Sequence, residues 1–404
     1  MATQTINKKA TYGDFTVTGL VKGLGEDSFQ FDVKGKNNIN WNMNVMNIRL
    51  DDTKGNSFFL NTRDGYDLIK GKTIYAQDTN GNNLKIPFGE RLNPTVLETI
   101  DENRMIKVGY AITEVTDDKG HKYNTWMYKT FLTVFDLIKF LKESLQNDTK
   151  ITIKGRTSYQ MYNGETSAQY DIQRVYIEPS EVPEKFNTFP FGFEFNQTFL
   201  IDSNSVDDSK FETEGIATVN AYIYQLESKK GADGKNIQTV NEKGDTVNAK
   251  FPKVYPIKYV VRAGEKKDVM RKVIDKYLKV EGDTVRCIEY IGKFVQGYAS
   301  SNITEKDLPD DIKEMIDMGL YTLEEALKMC AGKERISELQ LIKPRLVKIE
   351  DKPTLHMDDK TYNKEDLSYI VEAEEVEIRT NVSQPTQDNK ENDLLSELDD
   401  LLPF

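Results

Sequence analysis

Histidine and cysteine are nearly missing from this chain, with two of each in 404 residues. Cys287 and Cys330 are too few for a disulfide framework. His121 and His356 stand far apart in sequence and near no cysteine, so no zinc-ligand spacing exists. Long apolar runs are lacking too: no window nears the ~18 consecutive apolar residues that span a bilayer. The polar stretch Met1 to Tyr12 has no apolar signal core, which predicts a cytoplasmic protein. Signals for catalysis are thin. Gly65 through Gly71-Lys72-Thr73 resembles a phosphate loop, but five residues separate its glycines where the motif needs four. A turn before a strand at Ile74 explains it better. Gly23-Leu24-Gly25 lacks the third glycine of a dinucleotide fingerprint. Asp51-Asp52 and Asp117-Asp118 could hold a metal, but paired acids in polar loops are usually solvated. The reading is therefore no enzyme, no cofactor and no metal.

Net charge is −12, which looks wrong for a nucleic-acid binder until it is located. Residues 371–404 hold ten acids and two bases, or −8, leaving −4 for everything before them. A nearly balanced body can carry a local basic face.

Aromatics are plentiful, and short apolar runs flanked by polar residues dominate the first half, a strand-rich pattern. Phe15 to Val21 and Ile39 to Val45 alternate with period two. The apolar phase then slips to Met46, Ile48 and Leu50, which predicts a β-bulge. Val134, Ile138, Leu141 and Leu145 form one helical stripe, with Thr133 and Asp136 as a cap pair. A strand from Lys150 to Tyr162 and a return from Thr166 to Ile177 flank Asn163-Gly164, a strong hairpin signal. After a Pro- and Phe-containing link the order recurs. Strands fall at Ile216–Leu226 and Lys258–Arg262, a helix carries Met270, Ile274, Tyr277 and Leu278, and strands follow at Thr284–Tyr298 and Leu339–Ile349. Between the last two, Leu308 to Met329 reads as two short helices, the second opened by a Thr322–Glu325 capping box. Ser228 to Asn248 reads as a polar loop.

Strands, helix, strands, twice over, predicts a mainly β protein with some helix: two OB-fold-like barrels in tandem, a small helical insertion and a disordered acidic tail. Two unrelated α+β domains are the alternative. The boundaries are 1–178 for the first barrel, 179–211 for a linker or extension, 212–350 for the second barrel with its insertion at 303–331, and 351–404 for the tail.

Single strands are held by a positive groove lined with aromatic faces on which bases stack. Candidates for such contacts in the first barrel are Trp41, Arg49, Phe58, Trp126, Tyr128, Lys129, Lys154, Arg156, Tyr159 and Tyr162. In the second they are Tyr222, Tyr224, Lys253, Tyr255, Lys258, Arg262, Tyr290, Lys293, Phe294 and Tyr298. Large aromatics also prefer cores. Tyr222 and Tyr224, opposite an aliphatic face, are the ones expected to be exposed.

Asn381 to Lys390 is polar and aperiodic, which predicts disorder. The chain then ends Asp393-Leu394-Leu395-Ser396-Glu397-Leu398-Asp399-Asp400-Leu401-Leu402-Pro403-Phe404. A solubility tail does not need five leucines and a terminal Phe. The last residue offers a ring for a pocket and a carboxylate for a basic rim, while Asp399 and Asp400 add steering charge. A partner-bound amphipathic helix from Asp393 to Leu402 is another use of the same residues.

Asp399-Asp400-x-x-Pro403-Phe404 resembles the C-terminal tip of bacterial single-stranded DNA-binding proteins, with Leu401 and Leu402 as a departure. The body resembles phage-encoded single-stranded DNA-binding proteins at Phe15–Val21 and from Thr130-Phe131-Leu132 through the helix to Lys154-Gly155-Arg156 and Tyr159–Asn163. The resemblance implies a non-catalytic, sequence-tolerant binder of single-stranded DNA in a host cell's cytoplasm. It implies that the tip recruits a helicase, primase, polymerase or recombinase. The two-domain length departs from the one-barrel bacterial pattern, so a homodimer would supply four barrels. Two rival readings are a β-rich interaction or virion-structural protein with an assembly tail, and a metal-dependent phosphodiester enzyme built on the Asp pairs.

Overall fold

The computed structural model describes residues 8–369 except 36–38, 163, 232–234, 241–245, 299–304, 306–307, 324, 327–334 and 350–351. The first half runs β1 (Gly13–Lys22), β2 (Phe29–Lys34), β3 (Trp41–Asp51) and β4 (Ser57–Asp67). An inserted module follows, made of hairpin β5 (Thr73–Gln77) and β6 (Asn83–Pro87), helix α1 (Pro94–Thr99), and hairpin β7 (Ile106–Thr116) and β8 (Lys122–Phe131). Helix α2 (Val134–Ser144) leads to β9 (Lys150–Tyr162) and β10 (Glu165–Ile177). The predicted cap opens α2: the Asp136 N–H donates to Thr133 Oγ1 at 3.3 Å, and that hydroxyl donates back to the Asp136 carboxylate at 2.7 Å.

In this half β1 pairs with β3 and β9, β3 with β4, and β9 with β10. β4 and β10 face each other, with Phe58 edge-on to Tyr170 at 5.3 Å, but no ladder joins them among the described residues. The order β1-β3-β4-β10-β9, with a helix between the third and fourth strands, is a partly open OB barrel. Phe15, Val17, Leu50, Ile138, Leu141 and Ile153 fill it.

The second half runs β11 (Gly192–Ile201), β12 (Val206–Asp207), α3 (Phe211–Glu214), β13 (Ile216–Ser228), β14 (Gln238–Val240), β15 (Thr246–Asn248) and β16 (Lys250–Arg262). Helix α4 (Lys267–Val273) passes into a π turn over Ile274–Leu278, then come β17 (Arg286–Tyr298), α5 (Asp310–Asp317) and β18 (Arg335–Pro344). Here β11 pairs with β13 and β17, β13 with β16, and β17 with β18. A parallel contact, Val260 to Gln340, joins β16 to β18 and closes the ring in the same strand order.

The barrels meet through their first strands. β1 and β11 pair antiparallel over Gly13–Thr18 and Gly192–Gln197, with Phe15 opposite Phe195. Each phenylalanine also lies opposite a glycine of its own barrel's fourth strand, Gly155 and Gly292. A Cβ on Gly155 would stand 2.9 Å from the Phe15 ring, and one on Gly292 would stand 2.2 Å from the Phe195 ring. The two glycines leave room for the rings to cross their strands.

Several expectations are corrected. The stretch read as a linker holds β11, whose alternation is obscured because both of its faces are buried near Phe199 to Ile201. β3 itself runs unbroken against β4, with Asn42 and Asn44 continuing the inward parity and Asn44 donating to the Phe135 carbonyl at 3.0 Å; the irregularity falls on the partner β2, between Gln30 and Val33, opposite Val45 and Met43. Part of the polar loop pairs as β14–β15. The last barrel strand ends at Pro344, and Leu346–Ile349 pairs instead with Lys352–Leu355. The start of the presumed tail is packed: Tyr362 and Leu367 join Leu200, Tyr224 and Val254 in a core, and the Tyr362 hydroxyl donates to the Lys9 carbonyl at 2.5 Å. The Thr322–Glu325 box forms, with the Thr322 N–H donating to the Glu325 carboxylate at 2.8 Å and the Glu325 N–H to Thr322 Oγ1 at 3.2 Å. Residues 370–404, with Asp399 to Phe404, lie outside the described residues.

Candidate nucleic-acid interface

The open seam of the first barrel is a groove of about 560 Å³. Arg63 reaches it from β4, Arg156 from β9, Arg174 from β10, and Arg104 from the turn before β7. These four have something in common. Arg49, Arg91, Arg262, Arg271, Arg286 and Arg345 each pair with a carboxylate. Among the described residues, Arg63, Arg104, Arg156 and Arg174 pair with none, and all of them line this one groove. The carboxylates there are Asp64 and Asp171. Asp64 is engaged: it pairs with Lys72 and accepts the Phe135 N–H at 3.2 Å. The excess positive charge is felt nearby, since burial and then Arg174 hold the Lys154 ammonium below the usual lysine range.

Tyr170 forms one end of this groove and also lines a second hollow, of about 440 Å³, between the barrels. Phe58 and Phe59 of β4, Lys258 of β16 and Phe294 of β17 form its walls. Tyr170 is fixed by edge contacts with Phe15 at 5.0 Å and Phe58 at 5.3 Å, and Phe58 meets Phe294 at 5.0 Å. Phe59 points outward, 41% exposed, opposite Arg49. The two hollows adjoin across Tyr170 and together form the track considered below, basic at the seam and aromatic at the junction, where Glu338 also lines the wall. The outer face of the second and third strands and its flanking loops is where OB barrels bind oligonucleotides.

The predicted contacts divide. Arg156, Lys258 and Phe294 lie on the track. Trp41 and Tyr128 are exposed on β3 and β8, and Arg49 is held by Asp51 at 3.0 Å. Lys293 is exposed on β17 opposite Glu194. Phe58, Tyr159, Tyr224, Tyr255 and Tyr290 are buried, so their faces are not open to a base. Tyr159 donates to Gln197 Oε1 at 2.9 Å, and Gln225 clamps its backbone from β13. Tyr224 is covered because Tyr362, from the segment read as tail, sits edge-on to it at 5.5 Å, and Tyr222 packs half-buried against the same cluster. Lys253 pairs with Glu227 at 2.9 Å and Arg262 with Glu338 at 2.9 and 2.5 Å. The connecting segment covers other candidates: Phe186 meets Trp126 at 5.6 Å, and Phe189 lies under Lys154 at 4.3 Å. Lys129 sits over Phe140 at 4.7 Å. Tyr162 and Tyr298 end their strands with side chains outside the described residues.

Sequence reasoning missed Arg63, Arg104, Arg174, Phe59 and Tyr170. Arg63 and Phe59 share the outward parity of β4, a signal that could have found them. Arg174 gains meaning only from register, lying opposite Lys154 on β9. The Asp pairs have local roles: Asp52 accepts the Lys54 and Asn56 N–H groups at 2.7 and 2.9 Å, and Asp117 those of Lys119 and His121 at 2.9 and 2.8 Å. Among the described residues no three His, Cys, Asp or Glu groups converge to hold a metal, and no helix is long and apolar enough to cross a membrane.

No family model matches the chain, and no curated protein matches it. The wild-type single-stranded DNA binding protein from Thermus aquaticus is similar at 9% identity and a TM-score of 0.28, covering 72% of this chain and 87% of that one. A deletion mutant of that protein is similar at 8% identity and a TM-score of 0.28, covering 71% and 88%. A likeness that weak adds nothing to the strand order and the track described above.

Proposed function

We propose that this chain binds single-stranded DNA along the track from the β4–β10 seam to the cleft between the barrels. One observation carries the reading: among the arginines whose side chains are described, those that lack a carboxylate partner all line the same groove. Guanidinium groups fit phosphate oxygens bidentately and stay charged at every working pH. Phe59 and Phe294 line the junction beside them, aromatic surface of the kind on which bases stack. Backbone neutralisation plus stacking gives affinity without sequence preference. The protein then coats and protects single strands in replication, repair or recombination, in the cytoplasm of a cell infected by a phage. The tip Asp399-Asp400-Leu401-Leu402-Pro403-Phe404 recruits the enzymes that act on the coated strand.

Filter binding of oligothymidine titrated at rising salt tests the groove. With four arginine–phosphate contacts, log affinity falls against log salt with a slope of about −2.8, from ~0.7 per contact. Absent or salt-independent binding overturns the reading. Removing Pro403 and Phe404 leaves the titration unchanged and abolishes capture of a helicase, primase or polymerase; capture that persists overturns the role of the tip.

A further inference from the structure

The inserted module carries a basic hollow that the track does not include. It holds about 590 Å³ at the base of the β5–β6 hairpin, lined by Lys70, Lys72, Lys85 and Arg91. Its one lining carboxylate, Asp67, is buried and accepts the Ile69 and Lys70 N–H groups at 2.9 Å each, so that charge is spent on a turn. Lys72, paired with Asp64, walls both this hollow and the seam groove, so the two lie side by side. On the hairpin's outer face Tyr75 lies directly opposite Lys85 and is 74% exposed, setting an uncovered ring beside a cation.

The module is built to hold this surface still. Ile74, Ile86, Phe88, Ile100 and Met105 form a small core of their own with Phe135 of α2. Arg91 stacks over Phe88 at 4.0 Å and donates to Asp136 at 2.8 Å, so it braces the hollow while Lys70 and Lys85 remain exposed at its rim.

We propose that this hollow is an accessory DNA site, taking further nucleotides of the strand already bound in the seam groove. The inference rests on the function proposed above. Adjacency across Lys72 favours the same strand over a separate acidic partner. So does the pairing of cation and exposed ring, which repeats the chemistry of the track.

The test uses the full chain, the double variant Lys70→Glu/Lys85→Glu, and two oligothymidines. OB barrels cover roughly 4–16 nucleotides each, so a short strand of about 8 fills the groove and a long one of about 40 reaches beyond it. The expected result is short-strand affinity within twofold of the parent and long-strand affinity reduced at least tenfold. The long-strand salt slope should become shallower by about 1.4, from ~0.7 per lost contact. Tyr75→Ala should show the same pattern more weakly. Equal losses on both lengths, or no loss on either, overturn the accessory site while leaving the groove standing. A parent protein that binds neither strand overturns the groove itself and this extension with it. Unchanged long-strand binding, together with capture of a polyglutamate peptide by the parent but not the double variant, assigns the hollow to an acidic protein segment instead.

Discussion

The two barrels share a strand order and a phenylalanine-over-glycine crossing, yet they treat their third-to-fifth-strand seams in opposite ways. In the second barrel Val260 and Gln340 close the seam, and Glu338 there grips Arg262 with two hydrogen bonds while also accepting one from Gln340 at 2.8 Å. In the first barrel no ladder joins β4 to β10 among the described residues, β10 pairs instead with β7 over Arg174–Tyr176, and the arginines lining the gap form no ion pair with Asp64 or Asp171 beside them. The second barrel is self-satisfied, with Arg271, Arg286 and Arg345 also neutralised. The first leaves uncompensated charge facing a channel. A repeated fold can thus close and neutralise one seam while leaving uncompensated positive charge at the other, and the proposed binding rests on that difference. The carboxylate pattern, more than the count of basic residues, separates the roles.

That contrast can be broken from either side. Reversing charge in the open seam, with Arg156→Glu and Arg174→Glu together, should weaken oligothymidine binding about 100-fold or more. A hydrogen bond to a charged group contributes ~1.5–3 kcal/mol, and 1.4 kcal/mol is tenfold. Filter binding at fixed salt reads this, and a loss below about fivefold contradicts the seam's role. Phe59→Ala should cost about tenfold in the same assay, since stacking one base is worth ~1–3 kcal/mol.

Making the closed seam resemble the open one should act in the other direction. Glu338→Gln frees Arg262 beside Lys258, and affinity should rise about threefold with a salt slope steeper by about 0.7, one contact's worth. The smallest effect is expected from pH. Arginine stays protonated throughout, and neither histidine lines the track. Affinity should therefore change less than about twofold between pH 6 and 9, because no unperturbed arginine or carboxylate titrates in that window. A bell-shaped or stepped profile would point to a different set of contacts.

Much of this architecture was legible from the sequence because it depends on local pattern. The stripe Val134–Leu145, the Thr133 cap and the hairpin after Tyr162 all follow from spacing, and each was found where expected. β11 was hidden because a strand at the join of two barrels, buried on both faces, loses its alternation. Hairpin β5–β6 was hidden because its strands are short and its small core takes Phe135 from a distant helix. The site was legible only in kind. Of the basic and aromatic candidates read from the sequence, the fold brings Arg156, Lys258 and Phe294 to the two hollows of the proposed track. The choice among tyrosines failed where burial was set by residues far away in sequence, as with Tyr224 beneath Tyr362. Whether an arginine is neutralised is a question of register and tertiary contact, which no spacing rule answers.

The most direct test is the salt dependence of oligothymidine affinity for the parent protein beside a variant carrying glutamine at Arg63, Arg104, Arg156 and Arg174. The account predicts a parent slope of about −2.8 or steeper, and a variant slope shallower by about 2.8, at ~0.7 per arginine removed, with thermal unfolding unchanged. Equal slopes in the two proteins would place the phosphate contacts elsewhere and contradict the claim that the open seam is the binding groove.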